Sequence, residues 1–129
     1  MINKDKEVGG THYADMKIEP IEIIEAFELD FVQGSIIKYI SRYKNKNGIE
    51  DLKKALHYCR MHKSTNINNF DRINSCVYFS PMAKLSVKMY CMLNNLTDLE
   101  NLIISYVVSN DLDTAALEIE KLISRQEKL

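Results

Sequence analysis

Hydrophobic and polar positions along the chain fall into helical periods. In residues 21–29, "IEIIEAFEL", Ile21, Ile24 and Leu29 lie together with Glu22, Glu25 and Glu28 opposite, and Pro20 stands where a helix opens. Over 35–43, Ile36, Ile37, Ile40 and Tyr43 share one side, while Lys38 and Arg42, spaced i,i+4, project from the other. "KNKNG" ends that helix, and Gly48 suits a turn with positive φ. A third helix is predicted over 49–62. Its apolar face is Leu52, Ala55, Leu56 and Cys59, and Asp51, Lys54 and Tyr58 run along one edge, where core meets cleft.

Residues 63–80 are polar and read as a loop, except for "CVYF", which fits a short strand or a buried extended piece. Ser80–Pro81 is a helix start, followed by Met82, Leu85, Met89, Met92, Leu93 and Leu96 at helical spacing. That stripe reads as a face turned to the core or to a second copy, with a flexible Met-rich binding surface as the alternative. Thr97 and Glu100 form a capping box for a helix over 98–108. Asn110 caps the last helix, in which Leu112, Ala115, Ala116, Ile119, Leu122 and Ile123 recur. The expected fold is all-α: a compact bundle of five or six short helices with an irregular central loop. It forms a single domain over 1–129, and the helices of 81–129 offer an oligomer interface.

Composition supports a folded chain, with 46% apolar and 27% charged residues. The cysteines, Cys59, Cys76 and Cys91, form no CxxC pair and read as small buried hydrophobes in a reducing compartment. No apolar run approaches the ~20 residues of a membrane span, and "MINKDKEVGGTHY" lacks the apolar centre of a signal peptide. A soluble, cytoplasmic protein with no membrane partner is expected. The net charge of −1 conceals a strong division. Residues 1–37 carry three basic and eight acidic side chains, whereas 38–63 carry eight basic and two acidic. Such a field draws small anions to one region, or ties acidic and basic elements together.

The chain has no phosphate-binding P-loop, no GxGxxG, no HExxH and no Gly-x-Ser-x-Gly, so no catalytic residue can be named. Glu22, Glu25 and Glu28 at i,i+3 read as solvated carboxylates, and no metal site is expected. The cationic group is the stronger lead. Lys38 and Arg42 leave one helix together, Lys44 and Lys46 follow in the loop, and Lys53 and Lys54 begin the next helix. Tyr39, Tyr58 and the His12–Tyr13 pair supply rings. Phosphate takes charge-assisted donors from Arg and Lys, and a base takes an aromatic platform. The competing account is a solvated cationic face with Tyr39 and Tyr58 at the core rim, and it fits Lys44, Lys53 and Arg60 best. The acidic flanks argue against nucleic acid.

The stretch "HYADMKIEPIEIIEAFELDFVQGSIIKYISRYKNKNGIEDLKKALHY" resembles a family of small bacteriophage proteins, uncharacterised or nucleotide-kinase-like, that includes a phage nucleotide kinase lacking a P-loop. The likeness runs over about residues 12–61. It rests on the pair His12–Tyr13, the step Ile18, Pro20 and Glu22, the block Asp30, Phe31, Gly34, Lys38, Tyr39 and Arg42, a lysine at 44 or 46, and Glu50, Asp51, Leu52, Lys54, Ala55 and Tyr58. Ser35 and Tyr43 depart from the family pattern.

The resemblance implies a phage-encoded protein in the cytoplasm of an infected bacterium that binds a small phosphorylated nucleotide. Such a protein would act by sequestering a nucleotide-derived defence signal, or by transferring a phosphoryl group from ATP as a nucleoside-phosphate kinase. The expected ligand set is His12, Tyr13, Lys38, Tyr39, Arg42, Lys46, Asp51, Lys54 and Tyr58. Binding would need no cofactor; a kinase would need Mg²⁺ and ATP, with Asp51 or Glu22 holding the ion. A homo-oligomer is expected. The third reading is a module that inhibits a host protein through the charged patch.

Overall fold

The computed structural model describes residues 16–61 and 86–129. Among the described residues there are six α-helices and no strand: α1 (Pro20–Ala26), α2 (Phe31–Arg42), α3 (Ile49–Met61), α4 (Val87–Leu93), α5 (Asp98–Val108) and α6 (Leu112–Glu127). A 3₁₀ turn, Tyr43–Asn45, extends α2. Helix α3 packs against α2 on one side and α6 on the other, α6 packs on α5, and α5 returns to α2. These contacts close a ring of four helices. Ile36, Ile37 and Ile40 meet Leu52, Ala55, Ile103, Ile104, Val107, Ala115 and Ile119 in one buried core. Helix α1 leans on α2, and α4 on α5. The all-α bundle expected from the periodicity is the fold observed.

Several helix ends differ from the pattern, each for a local reason. Helix α2 begins at Phe31 rather than Ser35, because Asp30 is an N-cap. Its carboxylate accepts from the Gln33 backbone N–H at 2.7 Å, and the Gln33 side chain accepts from the Asp30 N–H at 3.1 Å. That first turn buries Gln33, Gly34 and Ser35 rather than apolar residues, so hydrophobic periodicity misses it. Gln33 Nε2 donates to the buried Val107 carbonyl at 2.9 Å, fixing α2 to α5. Gly34 lets α1 come close, since a Cβ there would lie 3.1 Å from Ile24 Cδ1. Helix α1 stops at Ala26, and the turn beyond it carries Glu28 at φ +53°.

Gly48 takes φ +55° ahead of α3, and the Thr97–Glu100 capping box opens α5, both as the sequence suggests. The cap of α6 is Asp111, not Asn110: Asp111 accepts from Thr114 N–H at 3.2 Å, while Asn110 takes φ +61° in the preceding turn. In α4 the buried side is Val87, Tyr90 and Cys91, leaving Met89, Met92 and Leu93 exposed. The tyrosine decides that rotation, because its hydroxyl finds Ser41 Oγ at 2.7 Å inside the core. The "CVYF" segment, the Ser80–Pro81 start, Met82 and Leu85 lie outside the described residues.

Two further polar ties join the halves of the chain. Glu100, fully buried at the start of α5, accepts from the Tyr43 hydroxyl and forms an ion pair with Lys44, whose Nζ lies 3.2 Å away. Asn94 clamps the segment before α1. Its Oδ1 accepts from Lys17 and Ile18 N–H at 3.0 and 3.2 Å, and its Nδ2 donates to the Ile18 carbonyl at 2.7 Å. Among the described residues no helix is long and apolar enough to cross a membrane.

Burial pushes the Cys59 and Cys91 thiols from 9.0 up to about 12, and burial with the Glu100 hydrogen bond raises Tyr43 still further. Each group keeps its proton longer in the folded chain than in the unfolded one. Their stabilisation is therefore complete below pH 9 and is lost as pH climbs toward 12 and beyond. Lys38, lowered from 10.5 chiefly by desolvation, works the other way, but it is one partly exposed group against three buried ones. Urea unfolding across alkaline pH should show a plateau ending near pH 9 and a falling midpoint above it; a flat profile to pH 11 would contradict the burial of these groups.

Candidate functional site

The basic segment folds into one surface built by α2, the turn after it, and α3. At its base is Asp51, in the first turn of α3 and fully buried. A carboxylate there gains from the helix N-terminus and from cations on both helices. Arg42 Nε donates to Asp51 Oδ2 at 3.3 Å, and Lys54 Nζ stands 3.9 Å from Oδ1, an atom that makes no hydrogen bond of its own. Arg42 is only 11% exposed, so its charge is held in place by Asp51 rather than free in solvent. Lys54, 49% exposed, keeps access to water.

Above this pair lies the ring of Tyr39. Lys38 Nζ, Arg42 Cζ and Lys54 Nζ stand 4.8, 5.1 and 5.8 Å from its centroid, each within cation–π range. Tyr58 stacks against Tyr39 at 6.1 Å with 23° between the ring planes. Phe31 meets Tyr58 edge-on at 6.1 Å, and His57 does so at 6.2 Å. Desolvation lowers the Lys38 pKa first, then Arg42; Lys46 and Lys54 add to the fall, and among the described residues Asp51 opposes it. Among the described residues, Arg42, Lys46 and Lys54 thus repel Lys38 across this face. A second anion, such as phosphate, would relieve that repulsion.

Six of the sequence-derived site residues therefore gather here: Lys38, Tyr39, Arg42, Asp51, Lys54 and Tyr58. Lys46 sits exposed at the end of the 3₁₀ turn, close enough for its charge to be felt at Lys38. His12 and Tyr13 lie outside the described residues. Lys44, expected as a solvated charge, instead pairs with buried Glu100 at 3.2 Å and belongs to the fold. Arg60 pairs with Glu120 at 3.0 Å on the surface. Sequence reasoning missed Phe31 and His57. Phe31 and Lys38, at i,i+7, share a face of α2, a relation hidden as long as the helix is started at Ser35.

The two carboxylates named for Mg²⁺ are committed elsewhere. Asp51 is buried under Arg42 and Lys54, and Glu22 accepts from the Glu19 N–H at 2.7 Å as part of the α1 cap. Among the described residues no three His, Cys, Asp or Glu side chains converge to hold a metal.

The segment that builds this surface is also the one that a family comparison picks out. Residues 8–60 match the family model described as protein of unknown function, DUF3310. The match spans α1, α2, the turn and nearly all of α3, under half of the 129-residue chain. It agrees with the resemblance to a phage-associated family, and its description names no activity. No significant match was found among curated proteins or among solved structures.

If Asp51 organises the surface, its loss should cost far more than the loss of a rim lysine. Asp51→Asn strips Arg42 of its buried carboxylate and should lower unfolding free energy by about 3 kcal/mol. Lys54→Ala should cost under about 1 kcal/mol. Equal effects in denaturant titrations would show that Asp51 does not organise this face.

Proposed function

We propose that this protein binds a small phosphorylated nucleotide on the α2–α3 face. The observation that carries the reading is the convergence of Lys38, Arg42 and Lys54 on the Tyr39 ring above one buried carboxylate. Lys38 and Lys54 neutralise phosphate, with Lys46 assisting. Tyr39 and Tyr58 offer ring surface to base or ribose, each stack contributing about 1–3 kcal/mol. Asp51 is a positioning residue. A carboxylate repels phosphate, but this one holds Arg42 and Lys54 where phosphate needs them. The pocket beside this group has a volume of about 560 Å³ and is lined by Tyr39, Lys53, Lys54, His57, Tyr58 and Met61, space enough for a nucleoside.

In a phage-infected bacterium such binding would sequester a nucleotide signal. The site has cations and rings to hold a ligand, and the two carboxylates named for Mg²⁺, Asp51 and Glu22, are taken up by the Arg42–Lys54 pair and the α1 cap. Calorimetric titration with mono-, di-, tri- and cyclic nucleotides tests the reading. At least one should bind without metal and without turnover, and silence from all at ~100 µM would remove the proposal. Mg²⁺-dependent consumption of ATP with a monophosphate acceptor would select the kinase instead. Lys38→Ala and Tyr39→Ala should each weaken the bound nucleotide at least about tenfold with helical circular dichroism unchanged, whereas Arg60→Ala should leave affinity alone.

A further inference from the structure

Two separate hollows adjoin the ringed tyrosine, and they share no lining residue. The larger is the pocket just described. The smaller, about 280 Å³, lies between α1 and α2 and is lined mainly by Ile21, Ile24, Leu29 and Phe31, with Lys38 at one end and Asp30 on its wall. Lys38 belongs to the smaller hollow and Tyr39 and Lys54 to the larger, yet both lysine ammonium groups stand over the same Tyr39 ring. The boundary between the hollows is thus cationic from both sides. Phe31 and Tyr58, one from each hollow, touch edge-on across it.

We propose that the site takes a dinucleotide, two nucleosides joined through their phosphates, with the phosphates at the Lys38–Lys54 boundary and one base in each hollow. This rests on the nucleotide reading above and sharpens its ligand class. A mononucleotide fills the Tyr39–Tyr58 side and leaves the other empty. Phe31 is 75% exposed, an aromatic ring held in solvent at the first position of α2, and a second base would cover it. Asp30 excludes phosphate from the smaller hollow and accepts N–H donors of the kind nucleobases carry. Linking the two bases through their phosphates makes the second contact intramolecular, which raises affinity without new cations.

Calorimetry on the full chain tests the idea with cyclic di-AMP, cyclic di-GMP and diadenosine tetraphosphate against AMP, GMP and ATP. At least one dinucleotide should bind about tenfold or more tighter than any mononucleotide. Phe31→Ala, and Phe31→Leu as a variant that keeps bulk but removes the ring face, should bring that dinucleotide down to the mononucleotide level, a far larger fold-loss than either variant causes for AMP, GMP or ATP. Mononucleotides binding as tightly as every dinucleotide, or a dinucleotide indifferent to both Phe31 substitutions, would overturn the two-base site while leaving nucleotide binding intact. No binding by any of the six would remove both.

Discussion

The buried carboxylate of Asp51 is the constraint on which this face depends. Taking a charge out of water is costly, and the cost is met only if opposite charge is brought to it with good geometry. Arg42 from the end of α2 meets that demand, and in doing so it fixes how α2 and α3 meet along the edge of the core. Lys54, one turn along α3, is drawn toward the second oxygen without fully satisfying it. The result is a set of cations arranged from below, with the Tyr39 ring lying across them. Surface lysines on two helices would otherwise spread apart by mutual repulsion.

Much of this was legible in the sequence because the period of the apolar residues and the i,i+4 spacing of charges are local properties. Ile36, Ile37 and Ile40 had to face inward, which left Lys38 and Arg42 on a common outer side. The Gly48 turn and the Thr97–Glu100 box were equally local. What escaped was set by distant partners. Helix α2 begins in a turn whose buried members are polar, because Gln33 is satisfied by a carbonyl in α5. Lys44 looks like any loop lysine until α5 brings Glu100 beneath it. The methionines of α4 fitted a face turned to the core or to a second copy, and the Tyr90 hydroxyl, by taking the inner side for Ser41, leaves Met89 and Met92 outside. No window of sequence carries those pairings.

The site elements lie in the segment that the family model matches, whereas the groups that steady them come from beyond it. Glu100 receives Tyr43 and Lys44, and so fixes the turn between the two site helices. Helix α6 packs against α3. The C-terminal half thus acts on the α2–α3 face through packing and through one buried acid, not by lending it a side chain among the described residues.

The clamp made by Asn94 extends this dependence to the other end of the chain. A single amide accepts from two backbone N–H groups and donates to one carbonyl, meeting the pairing needs of Lys17 and Ile18 as a neighbouring strand would. The approach to α1 is therefore pinned to the turn between α4 and α5. The α1–α3 unit is accordingly not a portable module. Grafted onto a different C-terminal half, it would keep its charges and rings but need a new buried acid under Tyr43 and a new amide beside Ile18.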